Sequence, residues 1–260
     1  ITAPGGIQQI MALSGDITGD IDADGDVNFV RAMGDIEGGV HTGGNLQTLQ
    51  AIGGDIAGTV DVDGNLRTAM AYKKGGQGGA ITCELDVEGL AESIRAIGGS
   101  MTGKVDVKGE DFHVAGKRDT LGQLYVSQGD LTGDIRIGPP DLDEGNLRVL
   151  RVAGGDIEGR VSVGGDLRYI AATAMGAQGG NIRADVSARH VFNLLTSRDF
   201  YGELAGQAGM KNVKVGGNLT GSTITSRTGG LASLQVQGRM ENSLVDVKLG
   251  VKSVLVAGDL

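Results

Sequence analysis

Asp35, Asn45, Asp55 and Asn65 stand ten residues apart, each preceded by Gly and followed by an aliphatic residue. Two modules alternate behind this spacing. One reads Gly-Asp-Φ-x-Gly-x-Val-x-Val, with Φ apolar, as at Ile56, Val60 and Val62. The other reads Gly-x-Φ-x-x-Φ-x-Ala/Val, as at Leu46, Leu49 and Ala51. One pair of modules takes about 20 residues, a period that specifies stacked structural units and not a globular core. Val60 and Val62 alternate with Thr59, Asp61 and Asp63, the pattern of a half-buried strand. The three-residue step from Leu46 to Leu49 marks a bend, and the two-residue step to Ala51 marks a strand. Gly recurs every ten residues or less, too often for helix.

The pattern runs from Gly6 to the last residue. The leading apolar residue of the first module is placed at Ile17, Ile36, Ile56, Ile81, Met101, Leu131, Ile157, Ile182, Phe200, Leu219, Met240 and Leu260. That of the second is placed at Ile7, Val27, Leu46, Leu66, Leu90, Leu121, Leu147, Leu167, Val191, Met210, Leu231 and Val251. The fold expected is all-β: a single-stranded parallel β-helix (β-solenoid), right-handed, of about twelve coils of ~20 residues. Three sides per coil are expected, with a flattened two-sided coil as the alternative. The whole chain, 1–260, reads as one continuous solenoid. Insertions at 72–80, 109–119, 138–145 and 173–181 become side loops. Gly54 to Ala96 matches Gly155 to Ser197 at a constant offset of 101, and the first and last of these insertions match within it.

Composition agrees. The chain has 48 Gly, no Trp, four Tyr and four Phe, so its interior must be filled by small aliphatic side chains. Gly at module boundaries is expected to supply positive φ at corners. Asp16, Asp35, Asp55, Asp130 and Asp156 should stack in one column, and Asn45, Asn65, Asp166 and Asn218 in another. Such a residue can bond its own backbone two positions on, and stacked Asn forms amide ladders.

The net charge of −9 argues against nucleic acid, whose binders carry a basic stripe. No apolar run approaches a membrane span. Cys83 is alone, which excludes a disulfide framework. No polar or helical cap is legible at either end. From this we expect a segment of a longer array, or a unit whose open ends meet neighbouring repeats or identical subunits, as in a self-assembling filament.

Chemistry is sparsely marked. Asp20, Asp22 and Asp24, followed by Gly25, match the opening of a calcium loop, but the twelfth position is Arg31 where a bidentate Glu is wanted. Asp141, Asp143 and Glu144 form a second calcium candidate in an inserted loop. No cofactor is expected beyond calcium at these two places. Asp106, Glu110, Asp111, His113, Lys117, Arg118 and Asp119 cluster around the least regular insertion, the place for a polysaccharide lyase or glycoside hydrolase site. His41, His113 and His190 are scattered, and no nucleophile, base and orienting acid stand together; the chain is expected not to be an enzyme.

The modules GGDIAGTVDVDGNL (Gly53 to Leu66) and GGDIEGRVSVGGDL (Gly154 to Leu167) resemble the Gly-Asp-rich strand repeats of very large secreted bacterial β-solenoid proteins, including surface proteins and adhesin stalks. The resemblance implies an extracellular or cell-surface setting and a structural role as stalk, adhesin or matrix component, with cell-surface polysaccharide as a further partner. It transfers no catalytic residue.

Overall fold

The computed structural model describes residues 1–76, 78–109, 119–139 and 144–259. Every named element is a β-strand, every strand–strand pairing is parallel, and no helix occurs among the described residues. Accordingly no helix is long and apolar enough to cross a membrane.

Three ladders run along the stack. The first links the residues after the Asp corner: Ile17, Ile36, Ile56, Ile81, Met101 and Leu131 by single bridges, then Ile157, Ile182, Phe200, Leu219 and Met240 by strand pairing. The second joins short strands such as Ile21–Ala23, Val40–Thr42, Val60–Val62, Leu85–Val87 and Val105–Val107. The third joins long strands such as Val27–Ala32, Leu46–Ile52, Leu66–Tyr72, Ala91–Ile97, Leu121–Ser127 and Leu147–Ala153. About eleven turns at the 4.7–4.9 Å strand spacing give a stack on the order of 50 Å long. Farther along, the corners straighten. Ile157–Thr173 is one strand of 17 residues, and register shifts at Val163/Asp166 and Ala188/His190 do the turning.

Each ladder buries one set of aliphatic side chains. Leu46, Leu49 and Ala51 are fully buried while Gln47, Thr48 and Gln50 between them are not. Like stacks on like: Ala32, Ala51, Ala71 and Ala96 follow one another in register. One placement is corrected. Ala91, not Leu90, pairs with Leu66 and Leu121 and enters the core. Leu90 sits instead at the corner, where its N–H donates to Asn65 Oδ1 at 2.9 Å.

The corner columns also work differently from the local turn expected. Each acceptor takes the backbone N–H of the same corner one coil on, not its own backbone. Asp16 Oδ1 accepts from Asp35 N–H (2.8 Å), Asp35 Oδ1 from Asp55 (2.7 Å) and Asp55 Oδ1 from Ala80 (2.9 Å). After Ala80 the column resumes through Ser100, Asp130, Asp156, Asn181, Asp199 and Asn218. Asn218 therefore belongs here and not with Asn45 and Asn65. Asp, Asn and Ser share only an oxygen acceptor, so the column requires acceptance and not charge. The second column, Asp26, Asn45 and Asn65, is built the same way and adds side-chain amide bonds at 3.0 and 2.9 Å. Asp55→Ala is expected to cost about 1–3 kcal/mol, because the half-buried Ala80 N–H loses its charged acceptor. Asp55→Asn keeps the acceptor and should restore most of the loss; urea melts of both variants decide it.

Positive φ explains fewer glycines than the sequence implied. Gly53, Gly98 and Gly154 adopt it at +83°, +90° and +83°. Most corner glycines do not, and their constraint is space. A Cβ at Gly58 would lie 2.1 Å from Gly38 O, and one at Gly54 would lie 2.2 Å from Gly34 C. The repeated insertion is a glycine turn in both copies: Gly75 and Gly176 each have φ +66°, and Gly79 and Gly180 have +96° and +95°.

Candidate functional site

The period that builds the core also sorts polar side chains by face. Outward residues of the short-strand ladder form one column in register: Asp22, His41, Asp61, Asp86 and Asp106, then Arg136. Asp63, Glu84 and Glu88 flank it in sequence. The column is therefore an acidic face about 4.7–4.9 Å per step. Its cations are Lys104, paired with Glu84 at 3.0 Å and Asp106 at 3.6 Å, and Lys108, paired with Glu88 and with Asp86 at 3.3 Å. The hydrogen bond to Glu84 raises the Lys104 pKa above its ordinary value, and that to Glu88 raises Lys108. The sign follows: these pairings hold through neutral pH and are lost only as pH rises through the raised lysine values.

The calcium candidates fall on or near this face. Asp22 is the register partner of His41, while Asp20 Oδ1 accepts Gly39 N–H at 2.8 Å. The closest three-donor group among the described residues lies one coil farther on. Ligand atoms of His41, Asp61 and Asp63 fall within 4.8 Å of one another, and His41 Nδ1 is 3.2 Å from Asp61 Oδ2. One imidazole and two carboxylates suit a first-row transition ion better than calcium, which takes oxygen donors. Reading along the chain misses this group because His41 and Asp61 are 20 residues apart. Their common signal is position: each is the middle residue of a Val-x-Val or Val-x-Thr strand. Of the second candidate, Glu144 is exposed, and Asp141 and Asp143 lie outside the described residues.

Of the residues gathered around the third insertion, Asp106 and Asp119 are described; Glu110, Asp111, His113, Lys117 and Arg118 lie outside the described residues. Asp106 is buried on the short-strand face, and its Oδ1 has no hydrogen-bond partner among the described residues. Asp119 stands at the start of a long strand, where Arg168 and Arg148 approach it at 3.3 and 3.7 Å. Asp106 and Asp119 thus stand on two different faces. Beyond Asp106 the short-strand face turns basic and hollow. An open groove of ≈ 500 Å³ is lined by Lys104, Asp134, Arg136, Arg160, Ser162, Ser187 and Gln207.

Cys83 is buried in the core, and desolvation pushes its thiol up to about 12. At neutral pH it is a small apolar filler and not a nucleophile. Comparison with protein-family profiles, curated protein sequences and solved structures finds no match to this chain.

Proposed function

We propose that the chain is a rigid scaffold segment of a secreted or cell-surface fibrous protein of bacterial type, serving as stalk, adhesin or matrix component. The observation that supports this reading most is the continuity of the corner column. The same acceptor-to-backbone bond recurs from Asp16 to Arg239, interrupted at Ala80. Such a stack would transmit force through backbone bonds along its axis. The continuous aliphatic interior fits a mechanical role. The Gly-Asp strand modules supply the extracellular setting by resemblance.

Two measurements test the reading. Small-angle scattering of the purified chain should give a stiff particle with the thin cross-section of a single solenoid; the profile of a flexible chain would remove the mechanical role. Antibody raised against the chain should label intact cells that produce the full-length protein. Labelling only after lysis would remove the surface assignment.

A further inference from the structure

The long-strand face has the opposite chemistry to the acidic face, although the chain carries −9 overall. On the strands Leu66–Tyr72, Ala91–Ile97, Leu121–Ser127 and Leu147–Ala153, and the matching part of Ile157–Thr173, the ionised residues are five Arg and one Glu, Glu92. The face also gathers Tyr72, Tyr125 and Tyr169, three of the four tyrosines of the chain, which lie 53 and 44 residues apart in sequence. Arg95, Tyr125 and Arg151 are consecutive register partners in one outward column. Arg95 is held in place: its Nε donates to Ser93 Oγ at 2.7 Å and its guanidinium to Gln123 Oε1 at 2.9 Å. Arg151 is exposed and makes no ion pair among the described residues. In the neighbouring column Arg148 and Arg168 share Asp119.

We propose that this face is a docking surface for a linear acidic polysaccharide, one bearing uronate carboxylates, laid along the solenoid axis. A guanidinium fork pairs with a planar carboxylate through two parallel N–H donors. The tyrosine between Arg95 and Arg151 offers an apolar ring to the C–H side of a sugar and a hydroxyl to its oxygens. Gln123, half-buried on the same face, adds an amide for sugar hydroxyls, while the buried Ser93 serves to hold Arg95. The arginines of the central column lie two coil steps apart, about 10 Å, so they meet a polymer whose carboxylates are spaced and not contiguous. A nucleic-acid strand, with a charge about every 3.4 Å, calls for denser cations than five arginines tempered by Glu92 and Asp119. The overall negative charge also opposes it more strongly. This inference stands on the face itself and holds whether or not the chain is a surface scaffold.

The test is isothermal titration of the intact chain with polygalacturonate at low salt and at high salt, beside dextran and a single-stranded oligodeoxynucleotide. Arg151→Ala and Tyr125→Ala should each weaken polygalacturonate binding roughly tenfold or more, and added salt should weaken it further. Dextran should bind far more weakly, and Ser162→Ala on the other face should change nothing. Arg151→Lys, which keeps the charge and loses the fork, should fall between wild type and alanine; it decides the matter if circular dichroism shows an alanine variant misfolded. Absence of polygalacturonate binding at low salt, affinity unmoved by these substitutions, or tighter binding of the oligodeoxynucleotide would each overturn the proposal. None of these results bears on the scattering profile that tests the scaffold.

Discussion

Leu124→Ala is expected to lower the unfolding free energy by about 2–5 kcal/mol, the range for emptying a well-packed aliphatic site. Leu124 is fully buried and is stacked between Ile94 and Leu150. Coils above and below are held at a fixed backbone spacing, so they cannot close on the void. The loss should fall on both coil interfaces at once, because each repeat of a solenoid is stabilised by its nearest neighbours. Leu255, on an outward position and 59% exposed, provides the contrast. Its replacement by alanine should stay within about 0.5 kcal/mol of wild type. Urea denaturation followed by circular dichroism measures both. Equal losses at the two positions would mean that the inward–outward assignment of the long strands is wrong.

Gly103→Ala is the second large effect, and its cause is not conformational. Gly103 does not have positive φ. A methyl group there would lie 1.6 Å from the carbonyl oxygen of Cys83, one coil below. That atom is backbone and not the end of a flexible side chain, so the coils themselves must separate. Overpacking of this kind costs about 1–3 kcal/mol and sometimes more. Gly19 occupies the same place in an earlier module and has nothing within 4 Å in this chain. Gly19→Ala is therefore expected to be neutral or to stabilise by about 0.4–1 kcal/mol through the unfolded state. A thermal melt that ranks Gly103→Ala above wild type would show that the corner is looser than its geometry implies. The position is not closed to every side chain, since Cys83 and Ala184 both occupy it and are buried. Clearance is set coil by coil.

Much of the architecture was legible because the two modules differ in period. Val60-x-Val62 alternates by two, and Leu46-x-x-Leu49-x-Ala51 contains a three-residue step, so each module announces its own strand and bend. Even Phe200, an aromatic in an aliphatic ladder, was placed by its spacing, and it pairs with Ile182 and Leu219. Leu90 was misplaced because hydrophobicity alone favours Leu over Ala. The competing constraint is the corner, which needs one residue after Gly89 before the chain turns inward.

The chain by itself determined the coil, its inward and outward positions and its aliphatic core, because those depend on residues within about 20 of one another. What only the tertiary structure decided is which residues become neighbours between coils. Insertions vary the step, so hydrogen-bonded partners in neighbouring coils lie anywhere from 16 to 31 residues apart. No single period in the sequence brings Asp55 to the Ala80 N–H, or Tyr72, Tyr125 and Tyr169 to one face. Clearances at Gly58 and Gly103 depend on fractions of an ångström between stacked backbones, and those exist only once the coils have met.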